Sequence, residues 1–198
     1  MIKVFLYLCI AMLHLSSNSG LARKSNQYSK LTNHWQDPGF DISKAVSKED
    51  WSFFMQSAIT WKKQFWHYHW NRGKSLGDWS WTWRSGWLQV CSQESKKWCT
   101  QILQAALFDK ALVIRAKAAQ VWGRLYSGTG NPAIGGMLEK AYQMKENNRN
   151  GKPLFIKKRI LFALKSIGGD KNLITGRNLA SSNVQMLDYW QRLAKPNG

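Results

Sequence analysis

The chain has 198 residues, enough for one domain with a real core, and carries 29 Lys and Arg against 11 Asp and Glu, a formal net charge of +18. Acidic residues are too few and too scattered to nominate a catalytic carboxylate pair. The cationic surplus draws the chain toward anionic material such as acidic polysaccharide, lipid head groups, nucleic acid or an acidic protein; it also fits a basic soluble protein whose charge acts only on solubility and non-specific binding.

Residues 1–22 read as a signal peptide. Lys3 precedes an apolar run from Val4 to Leu15, and Gly20 and Ala22 set small residues at the −3 and −1 positions of a cut after Ala22. The run is shorter than the roughly 20 residues a bilayer span needs. Cys9 lies inside it, so a lipid-anchored product is not expected. The chain from Arg23 keeps all but one of the cations and two cysteines, Cys91 and Cys99. In an exported protein this pair predicts one disulfide, the alternative being two small buried thiols. A zinc site is disfavoured, because the spacing is not C-x₂-C and no second pair exists. No transmembrane segment is expected in the mature chain.

Residues 23–46 are polar, with a Pro-Gly step at Pro38-Gly39, and read as a flexible leader that becomes ordered near Trp35. Residues 47–77 read as a tryptophan-rich helical cap. Ser47 with Asp50 resembles a capping box, and Glu49 and Asp50 suit a helix start. Trp51, Phe54, Met55, Ala58, Trp61 or Lys62, and Phe65 follow helical spacing, so one apolar face is expected to run from Trp51 to about Phe65. The Arg72-Gly73 and Leu76-Gly77 steps end that segment. His67 and His69 flank Tyr68; in a strand they would share a face, in a helix they diverge, and His34 has no support as a third metal ligand. No metal site is expected.

Between Trp66 and Trp87 the chain places six tryptophans. Trp79, Trp81 and Trp83 alternate with Ser80 and Thr82 as in a strand, yet Trp79, Trp83 and Trp87 are also spaced by four as in a helix. Both readings stay open. Burial in the core is one use of these rings. The other is an exposed aromatic patch led by Trp81, which in a helix points away from the other three, with Trp35, Trp66 and Trp70 as further candidates. With Arg84, Arg72 and Lys74 nearby, it could stack on sugars or bases.

From residue 97 onward the helical pattern is plain. Trp98, Ile102, Ala105, Ala106 and Phe108 mark one amphipathic helix. Asp109 is a good N-cap for the next, in which Val113 or Ile114, Ala118, Val121, Trp122 and Leu125 form the stripe. Ser127–Pro132 is a loop with Pro132 at a helix start, and a helix over 133–142 follows. Asn147–Pro153 is a loop. A helix over 154–167 stops at Gly168-Gly169, and weaker helices near 173–179 and 184–193 finish the chain.

The segment Val113–Leu125 aligns with Phe155–Ile167 at an offset of 42, pairing Ile114 with Ile156, Arg115 with Lys157, and Trp122 with Leu164. Asp109, Ile114-Arg115, Ala118-Ala119 and Trp122-Gly123 resemble HEAT-type repeats, whose units are pairs of antiparallel helices. The second copy departs from the pattern, with Lys157 for the Arg and Gly151 to Pro153 in place of the Asp. An offset of 31 also lays Asp78 on Asp109 and Arg84 on Arg115, making the tryptophan segment a degenerate first repeat. The fold expected is therefore all-α: a short HEAT-like α-solenoid over residues 78–198, behind the helical cap. The helix reading sets Cys91 at the end of one helix and Cys99 at the start of its antiparallel partner.

No H-E-x-x-H, G-x-S-x-G, phosphate-binding glycine loop or cysteine–histidine signature is present, and no motif asks for a cofactor. The resemblance implies a non-enzymatic scaffold for a protein partner in the periplasm or extracellular space. Its docking strip would be a basic ridge of Arg115, Lys117, Lys157, Lys158 and Arg159, or else these residues simply form a solvated helix face. The alternative is a binder of anionic polymer or envelope glycan through Trp81, Arg84 and the basic surface. No specific nucleic-acid partner is expected.

Overall fold

A computed structural model describes residues 35–36, 40–93 and 96–194. The signal-peptide and most of the leader readings lie outside the described residues. The described chain is all-α, with nine α-helices and one two-stranded hairpin. It divides into two compact units, one ending at Asn71 and the other running from Arg72 onward with Ser43–Ala45 added. Among the described residues no helix is long and apolar enough to cross a membrane.

The first unit holds α1 (Lys48–Gln56) and α2 (Ile59–Trp70). Ser47 caps α1: its Oγ accepts from Asp50 N at 3.0 Å and donates to the Asp50 carboxylate at 2.9 Å. The expected single apolar face from Trp51 to Phe65 is broken between the two helices. Ser57 and Ala58 turn to extended backbone. The Ser57 N–H and hydroxyl both close on the Phe53 carbonyl, and Lys62 Nζ reaches back to the Met55 carbonyl at 3.0 Å. These donors satisfy carbonyls that a helix end leaves open. The core of this unit is aromatic. Phe65 meets Trp61 at 5.1 Å and Trp35 at 5.7 Å between ring centroids, and Trp35 stands edge-on to Tyr68 at 4.9 Å.

The second unit begins with a 3-10 turn, Leu76–Asp78, closed by a reciprocal Ser75–Asp78 capping box. Then follow α3 (Trp81–Gln93), α4 (Lys96–Leu107), α5 (Leu112–Leu125), α6 (Pro132–Gln143), a second 3-10 turn (Lys145–Asn147), strands Asn148–Arg149 and Lys152–Pro153, and α7 (Phe155–Ile167), α8 (Asp170–Ser181) and α9 (Val184–Ala194). From Trp81 onward the tryptophan segment is thus helix, not strand, with Trp79 just ahead of it in extended backbone. Trp79 and Trp87 meet edge-on at 5.5 Å, Trp83 joins Trp79 at 6.0 Å, and all three are buried. Cys91 near the end of α3 and Cys99 in α4 are placed as a disulfide pair, Cα atoms 5.5 Å apart. Asn131 caps α6 ahead of Pro132. The segment expected as a loop at 147–153 contains a tight hairpin, because Asn150 and Gly151 both take left-handed backbone, φ +52° and +73°.

Within this unit α5 packs between α3 and α7, and α7 packs against α9. The α5–α7 crossing is the most extensive helix pairing, and it depends on a missing side chain. A Cβ at Gly123 would lie 2.7 Å from Ala163 Cα. The loop after α5 then caps α7: Gly128 N donates to Ser166 O at 2.8 Å and Gly130 N to Ile167 O at 2.9 Å.

Candidate functional site

Arg84 and Arg115 are each the fourth residue of their helix, α3 and α5. Sequence reasoning set both on a binding surface. They are buried instead, 4% and 2% exposed. Arg84 pairs with the Asp109 carboxylate, which also accepts from Ala111 N at 2.7 Å. Asp109 is therefore not the N-cap of α5; Ala111 is, without a side-chain cap, and Asp109 is a buried counter-ion. Arg115 donates to the carbonyls of Asp109 at 2.7 Å, Lys110 at 3.0 Å and Glu146 at 3.2 Å, and to Asn147 Oδ1 at 2.9 Å. Burial pushes its guanidinium below the ordinary arginine value, opposed by Glu146 and Asp109. Asn147 is wholly buried, donates to Ala141 O at 2.6 Å and accepts from Leu154 N, the N-cap of α7, at 2.9 Å.

This polar chain from Arg84 through Asp109, Arg115 and Asn147 to Leu154 fastens the starts of α3, α5 and α7 side by side. The expected basic ridge does not form there. Arg115 turns inward because it sits between the buried Ile114 and Ala116. Lys117 is half-buried and reaches Ser85 O at 3.4 Å. Lys157 is half-buried with its Nζ 4.4 Å from the Tyr142 ring centroid. Burial lowers the pKa of both lysines. Only Lys158 and Arg159 of the proposed ridge are exposed, Lys158 lying 5.7 Å from the Tyr189 ring.

What the fastened helix starts present is apolar. Trp81, the first residue of α3, is 52% exposed; Val113, the second of α5, 54%; and Phe155, the first of α7, 49%. Helix α9 also opens on an exposed residue, Val184. On α7 the stripe continues through Lys158 and Arg159 to the exposed Phe162, one face at helical spacing. None of α3, α5 and α7 carries an acidic residue in its first turn, and Lys110 and Lys158 are exposed at the starts of α5 and α7, where the Asp109 carboxylate on Ala111 N is buried. The residues that sequence reasoning missed here are Val113 and Phe155. Their signal was position alone: an apolar residue at the helix start, off the buried stripe.

His67 and His69 diverge on α2, the first exposed and the second buried. His34 lies outside the described residues. Among the described residues no group of three or more His, Cys, Asp or Glu could hold a metal ion. No protein-family model matches the chain, and no curated protein or solved structure shows significant similarity to it.

Proposed function

We propose that this chain is an exported, non-enzymatic binding protein, a short HEAT-like α-solenoid with a tryptophan-rich cap, that holds a protein partner in the periplasm or extracellular space. The observation that carries this reading is the row of Trp81, Val113 and Phe155 at helix starts pinned by a buried polar chain. Exposed apolar residues at the starts of packed helices, with Lys110, Lys158 and Arg159 exposed on the same helix starts, suit a partner segment with apolar anchors and acidic flanks. Export rests on the Lys3–Ala22 pattern and on the placement of Cys91 with Cys99.

The test is capture from envelope extract on immobilised mature protein, at low and high salt, beside a Trp81→Ser/Val113→Ser/Phe155→Ser variant. A discrete protein retained at high salt by the natural chain and lost by the variant supports the reading. A second reading, a binder of anionic polymer or envelope glycan, is favoured by the exposure of Trp81 beside this cationic edge. It requires capture of polydisperse acidic material that high salt releases.

A further inference from the structure

A cleft of about 660 Å³ opens between α7, α8 and α9, away from the helix starts described above. We propose that it binds a single-chain anionic amphiphile, a long-chain carboxylate. Its apolar wall comes from Leu173 and Ile174 of α8 and from Leu187 and Trp190 of α9. Trp190 is buried, and its ring sits directly on Gly176, where any Cβ would collide with it. The indole is thereby held in place and gives the cleft a preformed floor. Ile174, 59% exposed, is an apolar side chain left in water at the rim.

The charged groups lining the cleft are Lys165, half-buried on α7, and Arg177, exposed on α8; among the described residues no acidic residue lines it. Among the described residues neither cation has an ion-pair or hydrogen-bond partner for its side chain. Two uncommitted cations on the rim of an apolar cleft complement one anionic head joined to one apolar chain. The volume falls in the range of about 300–1,000 Å³ usual for small-molecule sites. Arg177 supplies a planar fork for two carboxylate oxygens and Lys165 a point charge.

The experiment is titration calorimetry of the full mature protein with dodecanoate, kept below its micellar concentration. Saturable one-to-one binding is expected. Dodecyl maltoside, with the same tail and a neutral head, should bind at least about tenfold more weakly, as should acetate, with the same head and no tail. Lys165→Gln/Arg177→Gln should weaken dodecanoate by about tenfold or more. Ile174→Glu, at an exposed position that leaves the core intact, should do the same with an unchanged circular dichroism spectrum. No saturable binding overturns the proposal. So does equal binding of the maltoside or of acetate, or affinity unmoved in the folded variants.

Discussion

Arg84 of α3 and Asp109, just ahead of α5, form an ion pair buried at both ends. Taking one partner away strands a charge in the interior, at a cost of about 3–5 kcal/mol. Asp109→Ala should therefore lower stability by that order in urea unfolding. Arg84→Met combined with Asp109→Leu should recover a good part of the loss, because no buried charge is then left alone. Equal destabilisation by the single and double variants would mean that the Asp109 bond to Ala111 N, rather than the pair, holds this junction.

The tryptophans of one helix separate into two roles. Trp87 is fully buried against Trp79 and Trp98, whereas Trp81 stands half in water. Trp87→Ala should cost about 3–5 kcal/mol. Trp81→Ala should stay within about 0.5 kcal/mol. Thermal unfolding followed by far-ultraviolet circular dichroism separates the two.

Gly123 sits inside α5, where replacing glycine by alanine ordinarily stabilises a helix by about 0.5–1 kcal/mol. Here a Cβ meets the Ala163 backbone of α7 at 2.7 Å. Gly123→Ala should reverse the usual sign and destabilise by about 1–3 kcal/mol, since backbone must move to admit it. The denaturation midpoint reads the sign directly.

Cys91 and Cys99 are eight residues apart. A bridge closing so short a loop stabilises by about 2–3 kcal/mol in the chain-entropy picture. Cys91→Ser/Cys99→Ser should lose about that much. Alkylation of the folded, unreduced protein should leave Cys91 and Cys99 unlabelled in an intact-mass spectrum.

Asp78 accepts from Ser75 N at 2.7 Å and Ser75 Oγ at 3.0 Å. The backbone bond first, and the hydroxyl second, hold its carboxyl below the usual carboxylate range, with smaller help from Lys74 and Lys110. A depressed folded-state value stabilises above the unfolded pKa, and that contribution disappears as pH falls through the folded value. An acid titration of the Asp78 carboxyl carbon by NMR should show the low midpoint, and Ser75→Ala should move it upward.

The helical half of the molecule was legible because its apolar residues recur at helical spacing and its breaks fall at Pro132 and Gly168-Gly169. The break inside the N-terminal helix was not, since Ser57 and Ala58 carry no strong breaker signal and the apolar register runs through them. The hairpin had a signal in Asn150-Gly151, passed over because its flanks are only two residues each. The candidate surface was half legible. Trp81 followed from its angle relative to Trp79, Trp83 and Trp87. Arg84 and Arg115 misled because a cation on a helix reads as solvated, and nothing local reveals that Asp109 and Asn147, 25 and 32 residues away, stand ready to bury them.

The most direct measurement is site-specific photo-crosslinking in envelope extract, with a photoreactive phenylalanine placed in turn at Trp81, Val113 and Phe155 and, as control, at the exposed Asn178 of α8. A shared edge that docks one protein predicts the same discrete adduct from all three positions and none from Asn178. Equal adducts at Asn178, or no adduct at any of the three with the fold intact, would contradict docking through the starts of α3, α5 and α7.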